Sequence, residues 1–376
     1  MRMKQIETIY FWLFFKPFAI KGLIESLSKT FSGKVCCVIL GDQPKEREET
    51  NTEQESESIS YLYINKKNFR KNIKLLISEI HNSVHFFNGY KGKMNYIIKE
   101  VYKKKNNNNT NYVWMEKTNS YGRFAKIKEA LRYVENRYYY YSINPKVRAI
   151  FPISSVACSQ YIHYGWNKNK VYPFFYCPKS YNFENATKSF DNKLKCLYVG
   201  RLTEEKGVDL LIYSFDNLDV KNVSLDIIGN YGSLADNVKI WAKNRVNINM
   251  HGTLPIDKVY EIMPRFDLIL IPSHVEGWNV NVNIAVLTNT PILTTSNNPS
   301  SEVVLAFEGG EVTEDTPMAF HKALKQFIVD SDKLSYYRNN LILLSNKLEP
   351  RTLAKYVMKC LDHSLNLGVK PNPPWL

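Results

Sequence analysis

The sequence predicts an α/β protein made of two Rossmann-like units, on three observations. The chain has 376 residues, too many for one ordinary core and enough for two domains. Short apolar runs alternate with amphipathic helical stretches, the pattern of parallel strands covered by helices. The alternation occurs twice, on either side of a polar, aperiodic stretch, Tyr181–Asn192. Hydrophobic residues at 44% and charged residues at 23% exclude wholesale disorder.

In the first half, strands are expected at Thr8–Leu13, Lys34–Leu40, Ser60–Ile64, Ser83–Asn88, Tyr112–Glu116 and Ala149–Ser154. Helical spacing marks Ile20–Phe31, Asn68–Ile80, Met94–Lys104 and Phe124–Tyr139, with polar loops at Arg47–Ser58 and Asn106–Thr110. The second series has strands at Leu194–Val199, Ser224–Ile228, Asn247–His251, Leu268–Ile271 and Pro291–Thr295. Its helices are expected at Val208–Phe215, Ser233–Lys243, Ile256–Met263 and Asn279–Thr288. Domains are therefore expected at 1–185 and 186–350, followed by a helix and irregular Pro-rich tail at 351–376 that pack back across the junction.

The net charge of +14 is one-sided. Residues 1–190 carry 31 Lys and Arg against 15 Asp and Glu, while the remainder carries 19 against 21. Such a field attracts polyanions or anionic lipid headgroups. Nucleic acid is disfavoured as the partner, because the basic residues between Lys91 and Arg148 are spread over several elements without zinc-finger spacing or an RNP-type strand. The six cysteines form neither a disulfide framework nor a C-x-x-C ligand set and read as reduced, buried thiols. The apolar run Ile9–Phe15 is broken by Lys16 and Lys21, too short to span a bilayer and without a signal-peptide cleavage pattern. A cytoplasmic protein is expected, free or peripheral on the cytoplasmic membrane face.

In an open α/β sheet, ligands bind beyond the carboxyl ends of the strands. After Leu194–Val199 comes Gly200-Arg201-Leu202-Thr203-Glu204-Glu205-Lys206-Gly207, a glycine turn followed by two cations able to aim at one diphosphate. After Leu268–Ile271 comes Pro272-Ser273-His274-Val275-Glu276-Gly277-Trp278-Asn279-Val280, which runs into a helix. Its N-terminus offers amides to an anion, and Glu276 can accept hydrogen bonds from sugar hydroxyls. A carboxylate beside an anion site suits a ligand that is part sugar, part phosphate. The plainer readings of both loops are solvated surface charge and an ordinary acidic helix start.

These loops belong to an ordered series: Gly-Arg-x4-Lys-Gly, then Ile-Ile-Gly-Asn-Tyr-Gly at 227–232, His-Gly at 251–252, Pro-Ser-x2-Glu-Gly-Trp, and Thr-Pro-Ile-Leu-Thr-Thr at 290–295. Over about residues 193–305 the series resembles the C-terminal domain of retaining glycosyltransferases of family 4, in the glycogen-synthase-like superfamily. The resemblance implies the GT-B fold, two Rossmann-like domains facing each other across a cleft. It implies that Arg201 and Lys206 bind the nucleoside diphosphate, that Glu276, the first Glu of a Glu-x7-Glu motif, contacts the donor sugar, and that these three carry catalysis. Gly200, Gly229, Gly252, Ser273, Gly277 and the backbone from Trp278 through Asn279 to Val280 complete the donor site. The motif's second Glu, which would hold the ribose, falls at Ile284, which cannot accept such a bond. Asn281 and Asn283 are near in sequence but offset around the helix, so neither inherits the role automatically.

On the acceptor side, His85, Asn88, Glu116 and Lys117 stand at or near strand ends. Glu116, a carboxylate ending an apolar strand, has the stronger claim, whereas His85 also reads as an ordinary partly buried histidine. The expected reaction is hexosyl transfer from a UDP-, GDP- or ADP-linked sugar to a glycan or lipid-linked acceptor, retaining, with neither metal nor other cofactor. No Asp-x-Asp metal motif occurs in a suitable loop. The basic half suits an anionic acceptor or an anionic membrane surface. Two other readings stand beside it: a catalytically degenerate copy that binds nucleotide or glycan, suggested by Ile284, and a basic nucleic-acid-binding protein.

Overall fold

The structure, a computed structural model, describes residues 5–41, 55–104, 108–120, 122–180, 193–366 and 368–375. Two six-stranded sheets organise it, each entirely parallel.

The first lobe contains β1 (Thr8–Leu13), α1 (Lys21–Thr30), β2 (Lys34–Ile39), β3 (Ser60–Tyr63), α2 (Phe69–Glu79), β4 (Ser83–Asn88) and α3 (Gly92–Lys103). It continues through β5 (Thr110–Glu116), α4 (Ala125–Ile143), β6 (Ala149–Ile153) and α5 (Ser155–His163), with sheet order β3-β2-β1-β4-β5-β6. The second lobe contains β7 (Leu194–Val199), α6 (Val208–Asp216), β8 (Val223–Ile228), α7 (Ala235–Lys243), β9 (Ile248–Gly252), α8 (Ile256–Ile262) and β10 (Leu268–Ile271). Then follow α9 (Val280–Leu287), β11 (Ile292–Thr295), α10 (Ser301–Ala306), β12 (Gly310–Thr313), α11 (Pro317–Val329), α12 (Ser331–Leu344) and α13 (Pro350–Ser364), with sheet order β12-β11-β10-β7-β8-β9.

Counted within its own lobe, each order is 3-2-1-4-5-6, the doubly wound arrangement that reverses direction beside its first strand. The switch points lie between β1 and β4 and between β7 and β10, and the loops after these strands open a crevice at the carboxyl edges. Central strands such as β10 (Leu-Ile-Leu-Ile) are buried at every residue, as a sheet covered on both faces requires. Pro152 is tolerated because β6 is an edge strand.

The expected strands recur within one or two residues of their bounds. Five elements were not anticipated: α5, α10, β12, α11 and α12. The expected linker Tyr181–Asn192 lies outside the described residues, as do 47–54 and 106–107 of the two expected loops. Thr110 is the first residue of β5 rather than a loop end. All six cysteines are free and buried.

Helix α13 leaves the second lobe and packs on α1 of the first. Tyr112 Oη lies 2.6 Å from Ser364 Oγ, Tyr172 Oη 2.6 Å from His363 Nδ1, and Tyr356 Oη donates to Pro173 O at 2.9 Å. Farther on, Trp375 stacks on Phe175 with 4.0 Å between ring centroids, and Trp278 of the second lobe approaches the same ring at 4.6 Å. Phe175, Trp278 and Trp375 thus belong to one hydrophobic cluster that spans both lobes.

Candidate active site in the interlobe cleft

Two loops of the second lobe are sewn together at the carboxyl edge of its sheet. Gly207 adopts φ +68°, and any β-carbon there would collide with the carbonyl of Pro272, so glycine alone lets the loop after β7 lie against the loop after β10. The backbone amides of His274 and Val275 both donate to Glu205 O, at 3.0 and 3.2 Å. The His274 ring is held by Asp209 through Nε2 (2.9 Å) and Asp315 through Nδ1 (2.6 Å). Hydrogen bonding to Asp209 foremost, with Asp315 adding to it, raises the imidazole to about 9, so it stays protonated at neutral pH.

This seam brings Lys206 to Glu276. Lys206 Nζ lies 2.6 Å from Glu276 Oε1, with the two side chains 19% and 6% exposed. The same oxygen accepts from Ser273 Oγ at 3.0 Å and from Asn279 Nδ2 at 2.9 Å. Three donors thus converge on Oε1, leaving Oε2 without a hydrogen-bond donor among the described residues. Asn279 also caps α9, its side-chain oxygen accepting from Asn281 N at 3.0 Å. Lys206, Ser273, Glu276, Trp278 and Val280 line a cavity of about 190 Å³, with Gly200 on its wall.

Trp278, Val280 and Ile256 also border a larger cavity of about 770 Å³, whose other walls come from the first lobe and include Asn88, Tyr90, Lys91, Glu116 and Tyr161. The two spaces share a wall and together occupy the crevice between the sheets. Several contacts fix the lobes around it. Glu116 accepts from Tyr176 Oη, and its carboxylate fills the space where a β-carbon on Gly277 would stand. Asn119 donates to Glu276 O. Asn283 accepts from Trp278 Nε1 at 2.8 Å and donates to Tyr176 O at 2.9 Å. Glu302 accepts from Ser155 N at 2.9 and 3.0 Å, placing a carboxylate from the second lobe at the start of α5.

Not every residue singled out from sequence reaches this crevice. Arg201 is exposed and does not line the smaller cavity; Tyr198 Oη holds its carbonyl at 2.7 Å and leaves the guanidinium to solvent. Gly229 and Gly252 stand at the ends of β8 and β9, joined by a backbone hydrogen bond of 2.8 Å, outside the cavity lining. Ile284 is buried in the apolar core, whereas Asn281, three residues earlier on α9, lines the cavity and donates to Val199 O at 2.9 Å. On the first lobe, Asn88 and Glu116 line the larger cavity and Lys117 does not.

The acceptor-side expectation for His85 needs correction: it is fully buried inside the sheet layer. Its Nδ1 accepts from Trp12 Nε1 at 3.0 Å, its Nε2 lies 2.8 Å from Ser83 Oγ, and burial lowers its pKa to about 3. Asn119 and Glu302 carry no local signal, because nothing in the sequence around them marks a partner in the other lobe; Asn281 does stand near Ile284, offset around the helix, and it is the one that reaches the cavity. His274 did carry a signal, sitting between Ser273 and Glu276 in the loop already singled out.

Residues 181–342 match the family model for glycosyl transferases group 1. An uncharacterized glycosyltransferase of Methanocaldococcus jannaschii is 25% identical over 160 residues, which cover 41% of this chain and 41% of that protein. The similarity therefore spans less than half the length of that relative. Among solved structures, Anabaena HepE in complex with UDP superposes with a TM-score of 0.72 at 12% identity, covering 95% of this chain and all of the other. A glycosyltransferase from Rickettsia africae superposes with a TM-score of 0.70 at 15% identity, covering 96% and 100%.

Proposed function

We propose, for a chain whose GT-B fold and group 1 segment support the GT-B glycosyltransferase superfamily, that it transfers a sugar from a nucleotide diphosphate donor. The proposed reaction is retaining, needs no metal, and delivers a hexose to a glycan or lipid-linked acceptor. The observation that carries this reading is the Lys206–Glu276 pair at the carboxyl edge of the second sheet, lining a cavity that shares Trp278 and Val280 with the larger space between the lobes.

Breaking the bond from the anomeric carbon to the diphosphate leaves both electrons on the leaving oxygen and builds positive charge on the sugar. Lys206 supplies fixed positive potential for the former in a partly dry pocket, where it acts more strongly than in water. Exposed Arg201 is long enough to fold onto the same diphosphate when it arrives. Glu276 Oε2 is left to accept a sugar hydroxyl, since the three protein donors hold Oε1. The acceptor hydroxyl enters from the larger cavity, forms the new bond on the face the leaving group vacates, and passes its proton to a diphosphate oxygen. UDP is the first nucleotide to test, because HepE was crystallised with it.

The test is release of nucleoside diphosphate from a panel of UDP-, GDP- and ADP-sugars, alongside thermal shift with each free nucleotide. Turnover of one donor together with stabilisation by its nucleotide is expected. A second reading, a binding module without turnover, is favoured by one observation: an aliphatic, buried Ile284 where a ribose ligand would stand. It predicts stabilisation by a nucleotide with no donor consumed.

A further inference from the structure

Helix α4 packs Tyr139, Tyr140 and Ile143 inward and carries a second apolar face outward. Of its 19 residues only Asn136 and Ile143 are buried. Ile127, Leu131, Val134, Tyr138 and Tyr141, spaced alternately four and three residues apart, form one stripe with Phe124 just before the helix, and each of the six is 58–68% exposed. At 1.5 Å per residue the helix extends about 28 Å, so this is a continuous apolar band and not scattered surface residues. Beside the band stand exposed Arg123, Lys126 and Lys128.

The inner face of α4 braces two residues that line the larger cavity. Asn136 Oδ1 accepts from Tyr90 Oη at 2.5 Å, Glu135 pairs with Lys91 Nζ at 2.6 Å, and both Tyr90 and Lys91 line that cavity. Arg132 Nη1 donates to Ser120 Oγ at 3.0 Å, next to Asn119, which bridges to Glu276 O. The outward band therefore lies on the face of α4 turned away from these cavity-lining partners.

We infer that α4 is a docking helix that lies in the plane of an anionic lipid surface. A helix with an apolar stripe, tyrosines toward one end and flanking cations seats its stripe about 5–10 Å into the headgroup boundary while the cations meet anionic lipids. The charge of the whole half points to the same occupant: residues 1–190 carry 31 basic against 15 acidic side chains. A second copy would bring the same positive field against itself, and nucleic acid would meet the cations but leave the stripe in water. Docking through α4 holds the chain, and with it the 770 Å³ cavity lined by Tyr90 and Lys91, beside the membrane, so a lipid-linked acceptor is close at hand. That last consequence rests on the proposed transferase reading; the docking itself does not.

The test uses the full chain, co-sedimented with phosphatidylcholine vesicles with and without phosphatidylglycerol, at low and high salt, with UDP thermal shift and sedimentation velocity on the same samples. Binding to the anionic vesicles that weakens with salt is expected, and the double substitution Leu131→Gln/Val134→Gln lowers it by at least about tenfold while the UDP response is retained. Both side chains are largely exposed, so the variant keeps its fold. Undiminished binding by that variant, or a UDP response without vesicle binding, overturns the docking surface. A dimer of the parent chain dispersed by the same substitutions also overturns it, in favour of a second copy. Vesicle binding with no thermal shift from UDP, GDP or ADP upholds the docking helix and sinks the transferase reading.

Discussion

Glu116 of the first lobe and Gly277 of the second interlock across the cleft, the carboxylate occupying the volume that a side chain at 277 would need. The closeness of the lobes at the site thus depends on the absence of one β-carbon. Gly277→Ala must push Glu116 away and break its bond from Tyr176. The expected result is a loss of about tenfold to a hundredfold in kcat/KM with little change in melting temperature. Because the clash is with a flexible side chain, adding Glu116→Ala should recover part of the loss, and a double-mutant cycle on kcat/KM reads that coupling.

Lys206→Ala removes the cation from a carboxylate that keeps Ser273 and Asn279. Turnover is expected to fall by about 10²–10³, together with the thermal shift given by the productive nucleotide. Arg201→Ala, in solvent before a ligand arrives, is expected to weaken nucleotide binding without altering the melting temperature of the free protein. Titration of both variants with nucleotide separates a preformed contact from one made on binding.

His274 makes the seam between the two site loops pH-sensitive. Its folded pKa of about 9 lies above the ordinary 6.5, so its ion pairs contribute fully below pH 6.5 and are lost as pH rises through 9. Asp209 is half exposed, so the contribution is on the order of 1–2 kcal/mol after solvent screening. Melting curves of the parent and of His274→Asn, which cannot charge, should differ most near pH 6 and converge by pH 10.

His85 works in the opposite sense. It accepts from Trp12 through Nδ1, so its proton sits on Nε2, facing Ser83, and its folded pKa of about 3 lies below the unfolded value. The stability it preserves is complete above pH 6.5 and is lost as pH falls toward 3, about 2 kcal/mol of it by pH 5. Denaturant unfolding at pH 7 and pH 5 should show that decline in the parent and not in His85→Phe, whatever the variant's starting stability.

Writing the second Glu of the family motif back into the chain should harm it. Ile284 is buried among apolar side chains, so Ile284→Glu places an unpaired carboxylate in the core and is expected to cost about 3 kcal/mol or more. Asn281→Ala, on the cavity wall, should instead lower nucleotide affinity with a smaller effect on stability. Chemical denaturation paired with nucleotide titration tells the two positions apart.

How much of this was legible beforehand follows from the range over which each feature is encoded. Strand cores such as Leu268–Ile271 announce themselves through four consecutive apolar residues, and the turn from β7 to Lys206 through its glycines. Short α10 and the four-residue β12 were not anticipated, because they are ordered by neighbours in the second sheet more than by periodicity of their own. Motif order assigned Lys206 and Glu276 to one donor site, but not the ion pair between them. The bond from Asn119 to Glu276 O joins residues 157 positions apart, and no local pattern foretells such a partner. His85 misled as a strand-end candidate because it stands two residues before the buried Phe87, on the stretch of β4 enclosed by Trp12 and Tyr10, not at its open edge.

The crossing of α13 back onto the first lobe, with Trp375 laid on Phe175, has a consequence for biosynthesis. A ribosome releases the first lobe while Tyr112, Tyr172 and one face of Phe175 still lack the groups that cover them. That lobe must wait through translation of the whole second sheet before its own surface is finished. Nascent chains halted before Ser364 should therefore present a sticky, chaperone-recruiting first half, and shaving the last few residues should hurt yield more than their count suggests.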